Sequence, residues 1–204
     1  MTVDGGWWMV DGGWWMVDGG MHSKYEMQAE TDSIKAVGFA VLTNFAAMKI
    51  LMVCLGNICR SPLAEGILES KARKMGLGWE VDSAGVNNNY HIGEAPHPLS
   101  QKVAKLHAVD ISNQCARAFV ADDFDHFDKI YAMSSDILTG MKNIARNKFD
   151  PEKTDLLLNE IYPGANMDVP DPWYGEEEDY HEVYAMIDKA CEKIVEKYGY
   201  LKTA

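Results

Sequence analysis

The chain has no run approaching the roughly 18 to 20 apolar residues that a bilayer-crossing helix needs. It also lacks basic residues in the number that nucleic acid or an anionic membrane would demand. Nineteen Lys and Arg stand against 31 Asp and Glu, a net charge of −12. Any affinity for phosphate must therefore be local. Cysteine is scarce: Cys54, Cys59, Cys115 and Cys191 are all there is. None of them falls in a paired metal-ligand spacing, and Cys54 and Cys59 sit too deep in one loop to form a zinc half-site. What remains is a chain of 204 residues, 47% hydrophobic and 25% charged, enough for one globular domain with a sizeable core plus something extra.

The extra lies at the start. Val-Asp-Gly-Gly-Trp-Trp-Met recurs with a seven-residue period from Val3 and breaks off at Gly20. Paired glycines in every copy rule out a coiled-coil helix, and four tryptophans there have no core to enter. Residues 1–47 are thus expected to be a disordered leader, appended or mis-started, outside any domain. The patch Ala36-Val37-Gly38-Phe39-Ala40-Val41-Leu42 has the look of a secretory apolar segment, but it lies far from Met1 and precedes a free thiol. The functional domain is expected to span 48–204.

That domain is organised around Cys54-Leu55-Gly56-Asn57-Ile58-Cys59-Arg60-Ser61. The apolar run Ile50–Val53 before it reads as a strand and the segment from Pro62 as a helix, with Ser61 as its expected cap. A strand, a tight loop and a helix N-terminus make a cradle of backbone N–H groups that suits an anion. Cys54 enters at the strand end and Arg60 follows six residues later, so a thiolate and a guanidinium fork can share that cradle. This is an arrangement for covalent phosphoryl transfer. The plainer alternative is that Cys54 and Cys59 are small buried hydrophobes closing a core strand. With a reactive thiol, the reducing cytoplasm is the expected compartment.

Further along, Trp79–Ser83, Phe127–Met133 and Leu156–Leu158 read as strands, and Pro98–Leu106, Ser135–Ile144 and Glu177–Tyr198 as helices. The last helix carries an apolar stripe at Val183, Ile187, Ala190, Ile194 and Tyr198. Alternating strands and helices predict an α/β three-layer sandwich: a central, mostly four-stranded parallel sheet with helices on both faces. Ligands of such folds sit outside the carboxyl ends of the strands, where Cys54 emerges. Thiolate attack on phosphorus also calls for an acid to protonate the leaving oxygen. Asp171 is the candidate, held out of helix between Pro170 and Pro172, with Asp168 as a local competitor.

Two stretches, Cys54 to Ser61 and Asp171-Pro172-Trp173-Tyr174-Gly175, resemble the phosphate loop and the general-acid loop of the low-molecular-weight protein tyrosine phosphatases. The resemblance extends through nearly all of 48–204, including Val81-Asp82-Ser83-Ala84-Gly85, Tyr90-His91-Ile92-Gly93, and His107 with Ile111-Ser112. It implies Cys54 as nucleophile, Arg60 as phosphate and transition-state ligand, and Asp171 as general acid and base. Leu55, Gly56, Asn57, Ile58, Cys59 and Ser61 would form the phosphate loop. Asn57, Ser83 and His107 would be a hydrogen-bonded network bracing it, Ser61 would donate to the thiolate, and Tyr90, Trp173 and Tyr174 would wall the substrate slot. No metal or cofactor is implied, and the expected partner is a phosphotyrosine protein or small aryl phosphate, met by a monomer or weak dimer. Cys59 lies close enough along the loop to capture an oxidised Cys54 in a reversible disulfide.

Two positions depart from the family pattern. Ser134 stands where Asp is frequent, and His97-Pro98-Leu99 where bacterial members commonly read Asp-Pro-Arg. Three rival readings remain at this point: an arsenate reductase on the same scaffold, a phosphoarginine or small-phosphoester phosphatase, and a non-catalytic phosphate-binding module. The first needs a cysteine relay, yet Cys115 and Cys191 are far apart in sequence.

Overall fold

The computed structural model describes residues 7–10, 13–16, 47–87 and 90–199. The chain divides into two units, Met1–Asn44 and Phe45–Ala204. In the first, β1 (Trp7–Val10) pairs antiparallel with β2 (Gly13–Met16), Trp7 opposite Met16 and Val10 opposite Gly13. Each strand takes the Trp-Trp-Met of one sequence repeat, the part richest in strand-favouring residues. The rest of the expected leader, including the 36–42 patch, lies outside the described residues.

The second unit is built on a parallel sheet of order β4-β3-β5-β6, formed by β3 (Lys49–Cys54), β4 (Glu80–Gly85), β5 (Lys129–Ala132) and β6 (Thr154–Leu156). Lys49 to Cys54 lie opposite Glu80 to Gly85, and Ile50 to Val53 opposite Lys129 to Ala132. The central strand β3 is apolar on both faces because both are covered. Ile50, Met52 and Cys54 join one core with α1 (Arg60–Lys74) and α5 (Glu177–Tyr198). Leu51 and Val53, pointing the other way, join Phe119, Phe124, Ile137 and Met141. That alternation produces the three expected layers, the second core including residues of α3 (Asp123–His126) and α4 (Ser135–Ala145).

The helix α2 (Pro98–Leu106) has the expected bounds. The fourth strand is displaced, since Leu157 and Leu158 turn into a short 3-10 segment. The stripe on α5 is buried at Val183, Ile187, Ala190 and Ile194, and Tyr180, Tyr184, Cys191 and Val195 widen it. One expectation fails at the start of α1: the helix begins at Arg60 with Cys59 at the cap position and no side-chain cap bond, so Ser61 is not the cap. Its hydroxyl is turned to another acceptor.

Candidate active site

β3 releases the chain at Cys54, and after five intervening residues it enters a helix at Arg60. So sharp a turn needs one residue in left-handed backbone, and Asn57, at φ 57°, supplies it. The loop lies against β4 so closely that a Cβ on Gly85 would stand 2.8 Å from the Leu55 carbonyl oxygen and 3.1 Å from the Asn57 nitrogen. Only glycine permits that approach.

Cys54 is 3% exposed, and its sulfur sits within this turn. It accepts from the Asn57 N–H at 3.2 Å and from the Ser61 hydroxyl at 3.0 Å. Ser61 is free to donate there because its oxygen accepts from the Asn57 amide at 2.9 Å. The same Asn57 amide nitrogen donates to the Ser83 hydroxyl at 2.8 Å, and its oxygen accepts from the Arg117 N–H at 2.8 Å. Every polar atom of this buried side chain is thereby engaged.

His107 is not part of this network. It ends α2, stacks on Tyr184 of α5 at 4.1 Å between ring centroids, and borders a separate cavity with Lys71, His181 and Asp188. The places beyond Asn57 and Ser83 are taken instead by Arg117 and by Glu65, whose carboxylate accepts from the Ser83 hydroxyl at 2.6 Å. Burial, with Asp82 and Glu69 nearby, raises the Glu65 pKa to about 7. Glu65 had a sequence signal: four residues after Ser61, it lies on the same face of α1.

Arg60 is 5% exposed. One terminal nitrogen donates to the Val169 carbonyl at 3.1 Å and the other to the Asp171 carboxylate at 2.5 Å, joining residues 111 apart in the chain. Its Nε is buried with no hydrogen-bond partner. The competitor Asp168 is occupied elsewhere, accepting from the Ser135 N–H at 2.8 Å and from its hydroxyl at 3.2 Å at the start of α4. A second acidic group at this helix end is Asp136, which accepts from the Ser134 hydroxyl at 2.5 Å.

Cys54, Arg60 and Asp171 border one cavity of about 410 Å³, with Leu55, Gly56, Ile58 and Cys59 of the loop. Tyr90, Trp173 and Tyr174 line it too, although Tyr174 is almost wholly exposed. The imidazole of His91, singled out by no sequence argument, faces the loop across Gly56 and lies 5.3 Å from the Trp173 ring. Cys59 is a buried free thiol beside the Tyr180 hydroxyl at 3.7 Å, and burial pushes its pKa up to about 12. Cys191 is sealed against α1 while Cys115 is exposed, so the two do not form a relay. Among the described residues, no group of three or more His, Cys, Asp or Glu could hold a metal ion, and no helix is long and apolar enough to cross a membrane.

A family model described as low molecular weight phosphotyrosine protein phosphatase matches residues 49–201. The chain is 35% identical over 150 residues to the low molecular weight protein-tyrosine-phosphatase YfkJ of Bacillus subtilis, covering 72% of this chain and 94% of that one. It is 34% identical over 155 residues to the human low molecular weight phosphotyrosine protein phosphatase, covering 74% and 96%. Among solved structures, B. subtilis YfkJ superposes with a TM-score of 0.68 at 33% identity, covering 74% of this chain and 94% of that chain. Wzb of Vibrio vulnificus, solved with benzylphosphonate, gives 0.67 at 29% identity, covering 74% and 99%. Fold, loop geometry and sequence thus agree, and the chain belongs to the low molecular weight phosphotyrosine protein phosphatase family.

Proposed function

We propose that this protein hydrolyses phosphotyrosine and related aryl phosphates through a phosphocysteine at Cys54. The observation that carries the reading is the contact of Arg60 with Asp171, which brings a carboxyl group from a distant loop over the nest holding the sulfur. A phosphate dianion takes the place of the carboxylate on the Arg60 fork, and the unpartnered Nε adds a donor. Cys54 attacks phosphorus in line. The bond from phosphorus to the aryl oxygen breaks as Asp171 gives that oxygen its proton. Water then attacks phosphorus and gives a proton to Asp171. The P–S bond breaks, inorganic phosphate leaves and the thiolate is regenerated. Loop amides and Arg60 hold the charge that spreads over the equatorial oxygens.

Tyr90 and Trp173 favour a flat ring above the nest, which points to phosphotyrosine in a protein or a small aryl phosphate as substrate. The benzylphosphonate held by V. vulnificus Wzb is a ligand of that shape. A nucleophilic thiol suits a reducing compartment, the cytoplasm. Steady-state hydrolysis of p-nitrophenyl phosphate and of phosphotyrosine, phosphoserine and phosphoarginine peptides tests this. Cys54→Ser is expected to abolish turnover, and Asp171→Asn to lower it roughly 10²- to 10⁴-fold while phosphate still binds. Near-parental turnover by Cys54→Ser would sink the covalent scheme.

A further inference from the structure

His97 opens the second departure from the family pattern, His97-Pro98-Leu99. It holds the N-cap of α2, where its Nδ1 accepts from the Leu99 N–H at 3.3 Å, as a capping aspartate oxygen would. That bond fixes Nδ1 as an acceptor and leaves the ring neutral, the form that burial also favours by lowering its pKa. Capping needs no ring, yet the ring is in use on two sides. One face stacks on Tyr180 at 5.2 Å and 15°, and Trp173 approaches at 5.4 Å and 64°. The main chain of the same residue is fastened to the phosphate loop, its N–H donating to the Ile58 carbonyl at 2.7 Å.

Trp173 leads to the acid. Its backbone N–H donates to the second carboxylate oxygen of Asp171 at 3.2 Å. While Arg60 holds the other oxygen, this bond is a supplement. Once a phosphate dianion takes the Arg60 fork, the Trp173 N–H is the hydrogen bond left to aim the carboxyl group at the leaving oxygen, and the rings packed on the indole decide where that N–H stands. We propose that His97 is a positioning residue for Asp171, acting through Trp173 and tying the acid loop to the phosphate loop. The inference rests on Asp171 being the general acid.

The test compares kcat/KM of the full chain on p-nitrophenyl phosphate and phenyl phosphate, whose leaving groups differ in their need for a proton. Asp171→Asn is the control, and it should hit phenyl phosphate much harder. His97→Asp keeps the cap and removes the ring. It is expected to lower kcat/KM for phenyl phosphate roughly tenfold more than for p-nitrophenyl phosphate, since a small misplacement forfeits only part of the acid's effect. His97→Asn, with the same capping ability, stands in should His97→Asp not fold. His97→Phe, which keeps a ring and loses the cap, is expected to return the ratio of the two substrates close to the parent's. An unchanged ratio in His97→Asp, with the Asp171→Asn ratio altered, overturns the role of His97 alone. An unchanged ratio in Asp171→Asn overturns the acid assignment, and this inference with it.

Discussion

At the scale of single residues, the site depends on which proton goes where. Asn57 spends both amide hydrogens on Ser61 and Ser83, and that leaves the Ser61 hydroxyl hydrogen for the Cys54 sulfur. Glu65 closes the other end of the network. Its carboxyl pKa stands at about 7 against an ordinary 4.5, so the folded state binds this proton more tightly than the unfolded one. Stability from this group is fully present below about pH 4.5 and is lost as pH rises through about 7. Glu65→Gln removes the ionisation. Urea midpoints taken from pH 5 to 8 are expected to show the variant gaining on the parent up to about pH 7, with the difference constant above that. A difference that stays constant across that range would contradict the assignment.

The same scale shows what the sequence could and could not tell. Cys54, Arg60 and Asp171 were legible because a fixed spacing after a strand and a proline-flanked aspartate each carry chemistry in the residue types themselves. The place of His107 is not legible in the sequence, because a histidine ending a helix can turn toward the sheet or toward a neighbouring helix, and packing against Tyr184 decides. Ser61 reads as a cap for a similar reason. Ser-Pro is a common helix start, but here the helix begins two residues earlier, at Arg60, and the Ser61 hydroxyl donates to the Cys54 sulfur instead.

Among the elements, long periodic segments were readable and short ones were not. The stripe on α5 and the apolar run of β3 set their own bounds. By contrast, α3 is four residues of Asp-Phe-Asp-His with no period to detect, and it exists because Phe124 is pinned in the second core. The two aspartates of the acid loop differ at this scale. Asp168 serves the start of α4 and Asp171 serves the cavity. Replacing Asp168 by Ala is expected to cost about 1 kcal/mol of stability, as loss of a helix-end acceptor does, while turnover stays within a few fold. Thermal or urea unfolding alongside p-nitrophenyl phosphate kinetics checks it. A loss of turnover matching Asp171→Asn, without loss of stability, would mean that the acid had been misassigned between the two.

For the molecule as a whole, the parallel sheet does the bringing together. β3 lies between β4 and β5, so its carboxyl end opens between the loop that carries Tyr90 and the connections that lead to Asp171. A chain with a net charge of −12 still offers an anion a buried guanidinium, because the favourable field is confined to one cavity. The central claim is that phosphorus is handed to one sulfur and then to water. Acid quenching of Asp171→Asn during turnover of p-nitrophenyl phosphate, followed by mass spectrometry of the peptide containing Cys54, tests it most directly. The account predicts a phosphoryl group on Cys54, absent when Cys54→Ser is combined with it. Continued turnover with no phosphorylated Cys54, or a phosphoryl group on another residue, would contradict it.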